Sequence, residues 1–171
     1  DVQSELEKGS VFTIKLDYAV AAMQEATIFE LPHVSLRNYH ILVVEDNPVN
    51  QMVVKMILKK WDNVTASYAN DGAEAVEILR QKQVDLVLLD LQMPVMDGYE
   101  TLTAIRKGEA GLQHSSVPVI VLTADVMETT KERVFALGAN EFMTKPVDKN
   151  LLYEKSMALL STEMKQQEVY V

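Results

Sequence analysis

The chain has 171 residues and is 48% hydrophobic, enough apolar content for one domain with an extension and too much for a disordered polymer. Its formal charge of −9 and pI near 4.8 argue against direct binding to nucleic acid or to anionic membranes, which need clustered Lys and Arg. Without cysteine there is no disulfide framework, thiolate metal site or cysteine nucleophile, and no apolar run nears the ~18 residues of a spanning helix.

Residues 1–16 read as the remnant of a preceding domain. In "GSVFTIKL", Phe12, Ile14 and Leu16 alternate with Thr13 and Lys15, as in a half-buried strand. Residues 17–37 form a helix-poor linker, with room for a helical turn or two around Ala19–Ala26. Over residues 38–160, apolar stretches of strand length alternate with helical patterns, which argues for βαβ units and a parallel sheet. The strand candidates are Ile41–Val44, Val64–Tyr68, Val84–Leu89, Val117–Leu122 and Glu141–Met143. The first helix has Asn47 to cap it and Pro48 in its first turn, and Val49, Met52, Val53, Met56 and Ile57 make an apolar stripe expected to face the core. "DGAE" at 71–74 and "DGYE" at 97–100 are capping-box-like starts for the second and third helices. The polar stretch from Lys107 to Ser116, with Gly108 and Gly111, reads as a flexible connection. Asp148 opens the fifth helix, which runs toward Leu160, and residues 161–171 read as a tail. His33, His40 and His114 lack metal-ligand spacing and read as surface or packing residues.

The expected fold is α/β: a doubly wound, flavodoxin-like five-stranded parallel sheet of order 2-1-3-4-5 with helices on both faces. In such sheets ligands bind outside the carboxyl ends of the strands, where strand order reverses. Glu45 and Asp46 close the first strand, Asp90 the third, Thr123 the fourth and Lys145 the fifth, so all gather on one rim. Each close carboxylate pair costs about 4 kcal/mol at an effective dielectric near 20, so the site calls for a cation. A hard, oxygen-lined site with open positions suits Mg²⁺, with Mn²⁺ as a substitute. Lys145 and the Thr123 hydroxyl could hold phosphoryl oxygens. The set points to phosphoryl transfer with Asp90 as nucleophile, forming an aspartyl phosphate.

"ILVVEDNPVN", "ANDGAEAVE", "VDLVLLDLQMPVMDGYE", "VPVIVLTAD" and "GANEFMTKP" resemble, in order, the motifs of the response-regulator receiver domain. The resemblance covers about residues 38–160, with intervals of 44 (46 to 90), 33 (90 to 123) and 22 (123 to 145). It implies that Asp90 is the phosphoacceptor, that Glu45 and Asp46 serve the metal directly or through water, and that the Gln92 carbonyl completes the metal shell. It further implies that Lys145, Thr123 and the Ala124 amide contact the phosphoryl group, and that Phe142 changes rotamer with Thr123. Family members often carry Tyr at that place, so Phe142 lacks a hydroxyl. Lys145 must turn back over the rim immediately after the fifth strand, and the resemblance implies a cis Lys145–Pro146 bond for that turn.

Upstream, "EKGSVFTIKL" is similar to the last glycine box and closing strand of a histidine-kinase ATP-binding domain, so the chain looks like the C-terminal part of a hybrid histidine kinase. The segment would catalyse its own aspartyl phosphorylation and dephosphorylation, the kinase domains lying elsewhere in the parent chain. The implied partners are the phosphohistidine domain of a kinase, in its own chain or another, and a histidine phosphotransfer protein. The expected location is the cytoplasm, with the parent chain open to membrane anchoring, and the receiver is expected to be a monomer or weak dimer. Two rivals remain. A haloacid-dehalogenase-type phosphatase also uses a strand-end Asp with Mg²⁺, but it wants a second Asp where Gln92 stands. The other rival is a receiver-like binding module that is never phosphorylated.

Overall fold

Five short segments, the three central ones strongly apolar, pair in parallel, and the helices between them cover both faces of the sheet. The structure, a computed structural model, describes residues 2–5, 9–12, 39–62 and 64–167. The linker 17–37, Ile14, Leu16, His33 and the end of the tail from residue 168 lie outside the described residues. Two units divide the chain, Asp1–His33 and Val34–Val171. In the first, β1 (Val2–Glu5) pairs antiparallel with β2 (Gly9–Phe12). β2 covers the start of the expected strand, whereas β1 carried no expectation.

The second unit runs β3 (Tyr39–Val44), α1 (Pro48–Leu58), β4 (Val64–Ala69), α2 (Gly72–Gln81), β5 (Leu86–Asp90), α3 (Gly98–Arg106), β6 (Val119–Thr123), α4 (Glu128–Ala136), β7 (Glu141–Thr144) and α5 (Lys149–Gln167). The sheet order is β4-β3-β5-β6-β7, all parallel, which is the expected 2-1-3-4-5. β5 and β6 are buried at every position, as central strands covered on both faces must be. Because side chains alternate, each strand feeds two cores. Leu42, Val44, Leu89, Val119 and Val121 pack with Leu79 of α2, Leu102 and Ile105 of α3 and Val134 of α4. Ile41, Val43, Leu86, Leu88, Ile120 and Leu122 pack with Val54 and Leu58 of α1 and Leu152 and Leu160 of α5. Each fully buried Leu or Ile contributes about 1.5–3 kcal/mol.

The caps follow the sequence closely. Asn47 accepts from the Val49 and Asn50 amides, and Pro48 opens α1. Asp97 and Glu100 form a full capping box on α3. On α2 the box is offset: Asp71 accepts from the Glu74 amide, but Glu74 accepts from Asn70 rather than from the cap's own amide. Asp148 accepts from the Asn150 and Leu151 amides at the start of α5. That helix runs to Gln167, past the expected end at Leu160.

Residues 161–167, expected as tail, thus continue α5, and two further expectations are overturned. Of the expected stripe Val49, Met52, Val53, Met56 and Ile57, the first four are exposed and Ile57 alone packs against the core, into which α1 turns Val54 and Leu58. The polar stretch 107–116 is not an open connection. Arg80 donates twice to the Glu109 carbonyl, Leu112–His114 form a 3₁₀ turn, and His114 is buried with Nε2 accepting from the Val84 amide. Arg106, at the end of α3, donates to the Gly138, Ser115 and Val117 carbonyls and to Asn140 Oδ1. A cation with such acceptors is worth about 1.5–3 kcal/mol per bond, so the stretch is anchored at both ends.

Candidate functional site

Parallel strands of matched register end together, and the residues just beyond them meet. Glu45 follows β3, its backbone amide still pairing with the Ala69 carbonyl at 3.0 Å. Asp90 is the last residue of β5 and Thr123 the last of β6. Lys145 follows β7, its amide donating to the Thr123 carbonyl at 2.8 Å, and the Lys145–Pro146 peptide bond is cis, as the resemblance implied.

The structure brings Glu45, Asp46, Asp90 and Lys145 together. One carboxylate oxygen from each of the three acids lies within 4.8 Å of the others. Glu45 and Asp90 are buried, 2% and 5% exposed, whereas Asp46 faces solvent. The Lys145 ammonium bridges the two buried acids, 2.6 Å from Glu45 Oε2 and 2.8 Å from Asp90 Oδ2. Burial alone would lower its pKa. The hydrogen bonds and charges of Asp90 and Glu45 outweigh burial and hold it above the ordinary lysine value. Asp90 Oδ1 also accepts from the Gln92 amide at 3.3 Å.

The β5–α3 loop is shaped so that Asp90 sits above a helix start. Gly98 is there because a Cβ would lie 2.2 Å from the Asp90 carbonyl oxygen and 2.7 Å from Leu91 Cα. Val95, at the loop tip, takes φ of 67°, a left-handed conformation that is strained for a β-branched residue. Thr123 is fully buried and its Oγ1 accepts from the Asp125 amide. Asp125 is held below the usual carboxylate range by the Thr130 hydroxyl and the Met127 amide. Ala124 and Gln92 are exposed on the same rim, and Phe142 on β7 is half-buried against the α2–α3–α4 core.

Sequence reasoning missed two residues. Asn50 Nδ2 donates to Glu45 Oε1 at 2.9 Å, and Gln51 Nε2 approaches the Glu45 carbonyl at 3.3 Å. Asn50 is the one polar interruption of the inward stripe Asn50, Val54, Ile57 and Leu58, and a polar residue in the first turn on that stripe was the available signal. The donor set fits a small hard dication. It offers three carboxylate oxygens and one half-buried cation already shared by two of them and, among the described residues, no His or Cys ligand in the group.

Comparisons with known proteins agree with this fold. The sensor protein GacS of Pseudomonas syringae pv. syringae is 34% identical over 155 residues, which covers 89% of this chain and 17% of that protein. The chain thus spans a minor part of that relative. Among solved structures, the receiver domain of a sensor histidine kinase from Pseudomonas aeruginosa PAO1, with a magnesium ion coordinated in its active-site cleft, is 31% identical. Its TM-score is 0.65, and the match covers 72% of this chain and 98% of that one. The receiver domain of Saccharomyces cerevisiae Ssk1, solved with the histidine phosphotransfer protein Ypd1, is 29% identical with a TM-score of 0.66, covering 74% of this chain and 92% of that one. Gln92 at the second-acid position already stood against a dehalogenase-type phosphatase. Residues 41–156 match the pattern of the response regulator receiver domain, and the chain belongs to that family.

Proposed function

We propose that Asp90 accepts a phosphoryl group from a phosphohistidine in a reaction that requires Mg²⁺. The observation that carries this reading is one ammonium, Lys145, held within 2.8 Å of a buried strand-end aspartate beside two further acids. An Asp90 oxygen forms a bond to phosphorus as the phosphorus–nitrogen bond breaks, and the departing imidazole leaves with its electron pair. Lys145 is placed to follow the charge from the Asp90 carboxylate onto the phosphoryl oxygens. Thr123 and the Ala124 amide lie on the rim where those oxygens would sit, and Phe142 on the neighbouring strand would respond to a shift of Thr123. Asp46, Asp90 and the Gln92 carbonyl would hold the metal, with Glu45 reaching it through water. When bound, Mg²⁺ neutralises charge developing on the phosphoryl oxygens, and Mn²⁺ would substitute.

The likeness to GacS extends beyond the receiver, since 155 aligned residues exceed the 116 of segment 41–156 (156 − 41 + 1). This supports an origin in a hybrid sensor histidine kinase, with residues 1–16 closing the preceding domain. The phosphate source is then the phosphohistidine of that kinase, and a histidine phosphotransfer protein is the next carrier. Such a domain works in the cytoplasm, where ATP feeds the kinase. Incubating the chain with a small acyl phosphate and Mg²⁺ tests the reading: one acid-stable, alkali-labile phosphate should appear, lost in Asp90→Asn and without metal. Labelling that persists in Asp90→Asn sinks it.

A further inference from the structure

Asn50 belongs to neither the acid triad nor the lysine, yet its amide fixes the carboxylate that the lysine shares. Glu45 is almost fully buried, and both its oxygens are engaged: Oε1 accepts from Asn50 Nδ2 at 2.9 Å, and Oε2 meets the Lys145 ammonium at 2.6 Å. The same ammonium lies 2.8 Å from Asp90 Oδ2. Where Lys145 spends its charge therefore depends on how firmly Glu45 is held. Asn50 is itself positioned by the first turn of α1, where the Asn47 side chain receives its amide and a cap holds the helix end against the strand rim. Glu45, Asn50 and Lys145 share a small cleft of about 80 Å³ with Val53, Val54, Leu122, Pro146 and Val147.

We infer that Asn50 is a positioning residue that sets metal affinity by anchoring Glu45 as the counter-ion of Lys145. The inference rests on the receiver reading above. With Glu45 held, Lys145 is divided between two acids, and Asp90 keeps charge for a dication. With Asn50 gone, Glu45 turns away and the ammonium closes on Asp90, where it competes with the metal for the same carboxylate. Outer-shell donors of this kind commonly alter metal affinity by about 10–100-fold. The site here is shallow and one of its acids is exposed, so the low end of that range applies.

The test is Mg²⁺ alone, titrated into the full chain and followed by backbone amide shifts around the rim. Asn50→Leu removes the donor at similar volume, and Asn50→Ala guards against a Leu that packs badly. Both should bind Mg²⁺ about tenfold more weakly, with thermal midpoints close to wild type. Saturating metal displaces the lysine, so acceptance from a small acyl phosphate at saturating Mg²⁺ should then change less than about twofold. In a Glu45→Ala background Lys145 has already closed on Asp90, and Asn50→Leu should add nothing beyond about twofold. Unaltered Mg²⁺ affinity in both Asn50 variants, or the same loss in the Glu45→Ala background, overturns the inference. Failure of the wild-type chain to take phosphate on Asp90 would instead overturn the proposed phosphoacceptor role, and the Mg²⁺ titration would still decide the role of Asn50.

Discussion

Asp90 and Glu45 are two buried acids that tolerate each other because one ammonium lies between them. Removing one member of such a buried set leaves uncompensated charge and costs about 3–5 kcal/mol, which makes Lys145 structural as well as chemical. Gly98 does comparable work from below. Its replacement by Ala puts a methyl 2.2 Å from the Asp90 carbonyl oxygen, so the strand end must move. Gly98→Ala should cost about 1–3 kcal/mol in urea unfolding and slow acyl-phosphate acceptance together with it. A stable Gly98→Ala chain with normal acceptance would show that the loop does not aim Asp90. His114, far from the rim, is a second residue with a measurable signature. Burial lowers its pKa, with the Ala110 carbonyl and the charge of Asp85 opposing in part, and its Nε2 must stay unprotonated to accept from Val84. The unfolded chain therefore binds a proton more readily than the folded one. The stability this gives is complete above the unfolded pKa, about 6.5, and is lost as pH falls below it. Urea midpoints should drop between about pH 7.5 and about pH 5.5, and His114→Gln should flatten that drop.

Helix α1 shows how one element can serve two faces. Val54 and Leu58 are buried, while Val49, Met52, Val53 and Met56 are 38–69% exposed. Val95, Val126 and Met127, on the loops after β5 and β6, are exposed as well. Exposed apolar side chains on α1 and on the loops after β5 and β6 suit the docking of a helical partner, in line with the phosphohistidine donor proposed here. Met52→Glu should slow transfer from a phosphohistidine protein about tenfold, or ~1.4 kcal/mol, relative to transfer from a small acyl phosphate. Equal slowing with both donors would mean that α1 shapes the site rather than the encounter. Helices α2 and α3 answer to a different constraint, because a Cβ on Gly72 would lie 1.9 Å from Thr101 Oγ1. That close approach explains the glycine in "DGAE" better than any turn does.

At the scale of the molecule, every residue of the proposed machinery lies at or beyond Glu45, and both hydrophobic cores are built within the unit that begins at Val34. A chain starting at Leu36 should therefore fold and take phosphate on Asp90 at close to the full-length rate, measured with a small acyl phosphate and Mg²⁺. Loss of acceptance in a folded, truncated chain would make the upstream strands part of the functional unit. None of the helices among the described residues is long and apolar enough to cross a membrane.

The parallel sheet, its order and the meeting of Glu45, Asp46, Asp90 and Lys145 were legible from sequence. Strand length, period and the rule that parallel strands end on one rim are local or topological, and they need no knowledge of packing. Caps at Asn47, Asp97 and Asp148 were legible for the same reason, since each cap bond joins residues two or three apart. The buried side of α1 was not. Val49, Met52, Val53 and Met56 recur at the same helical spacing as Asn50, Val54, Ile57 and Leu58, and a period names a stripe without saying which stripe meets the sheet. The polar Asn50 made the true inward stripe look the weaker one. Likewise 107–116 reads as open loop because its anchors, Arg80, Arg106 and Val84, lie outside it and reach it only after α2, α3 and β5 are packed. Local chemistry named the candidate residues. Only the packed chain, by giving Glu45 its two partners, decided how the charge among them is shared.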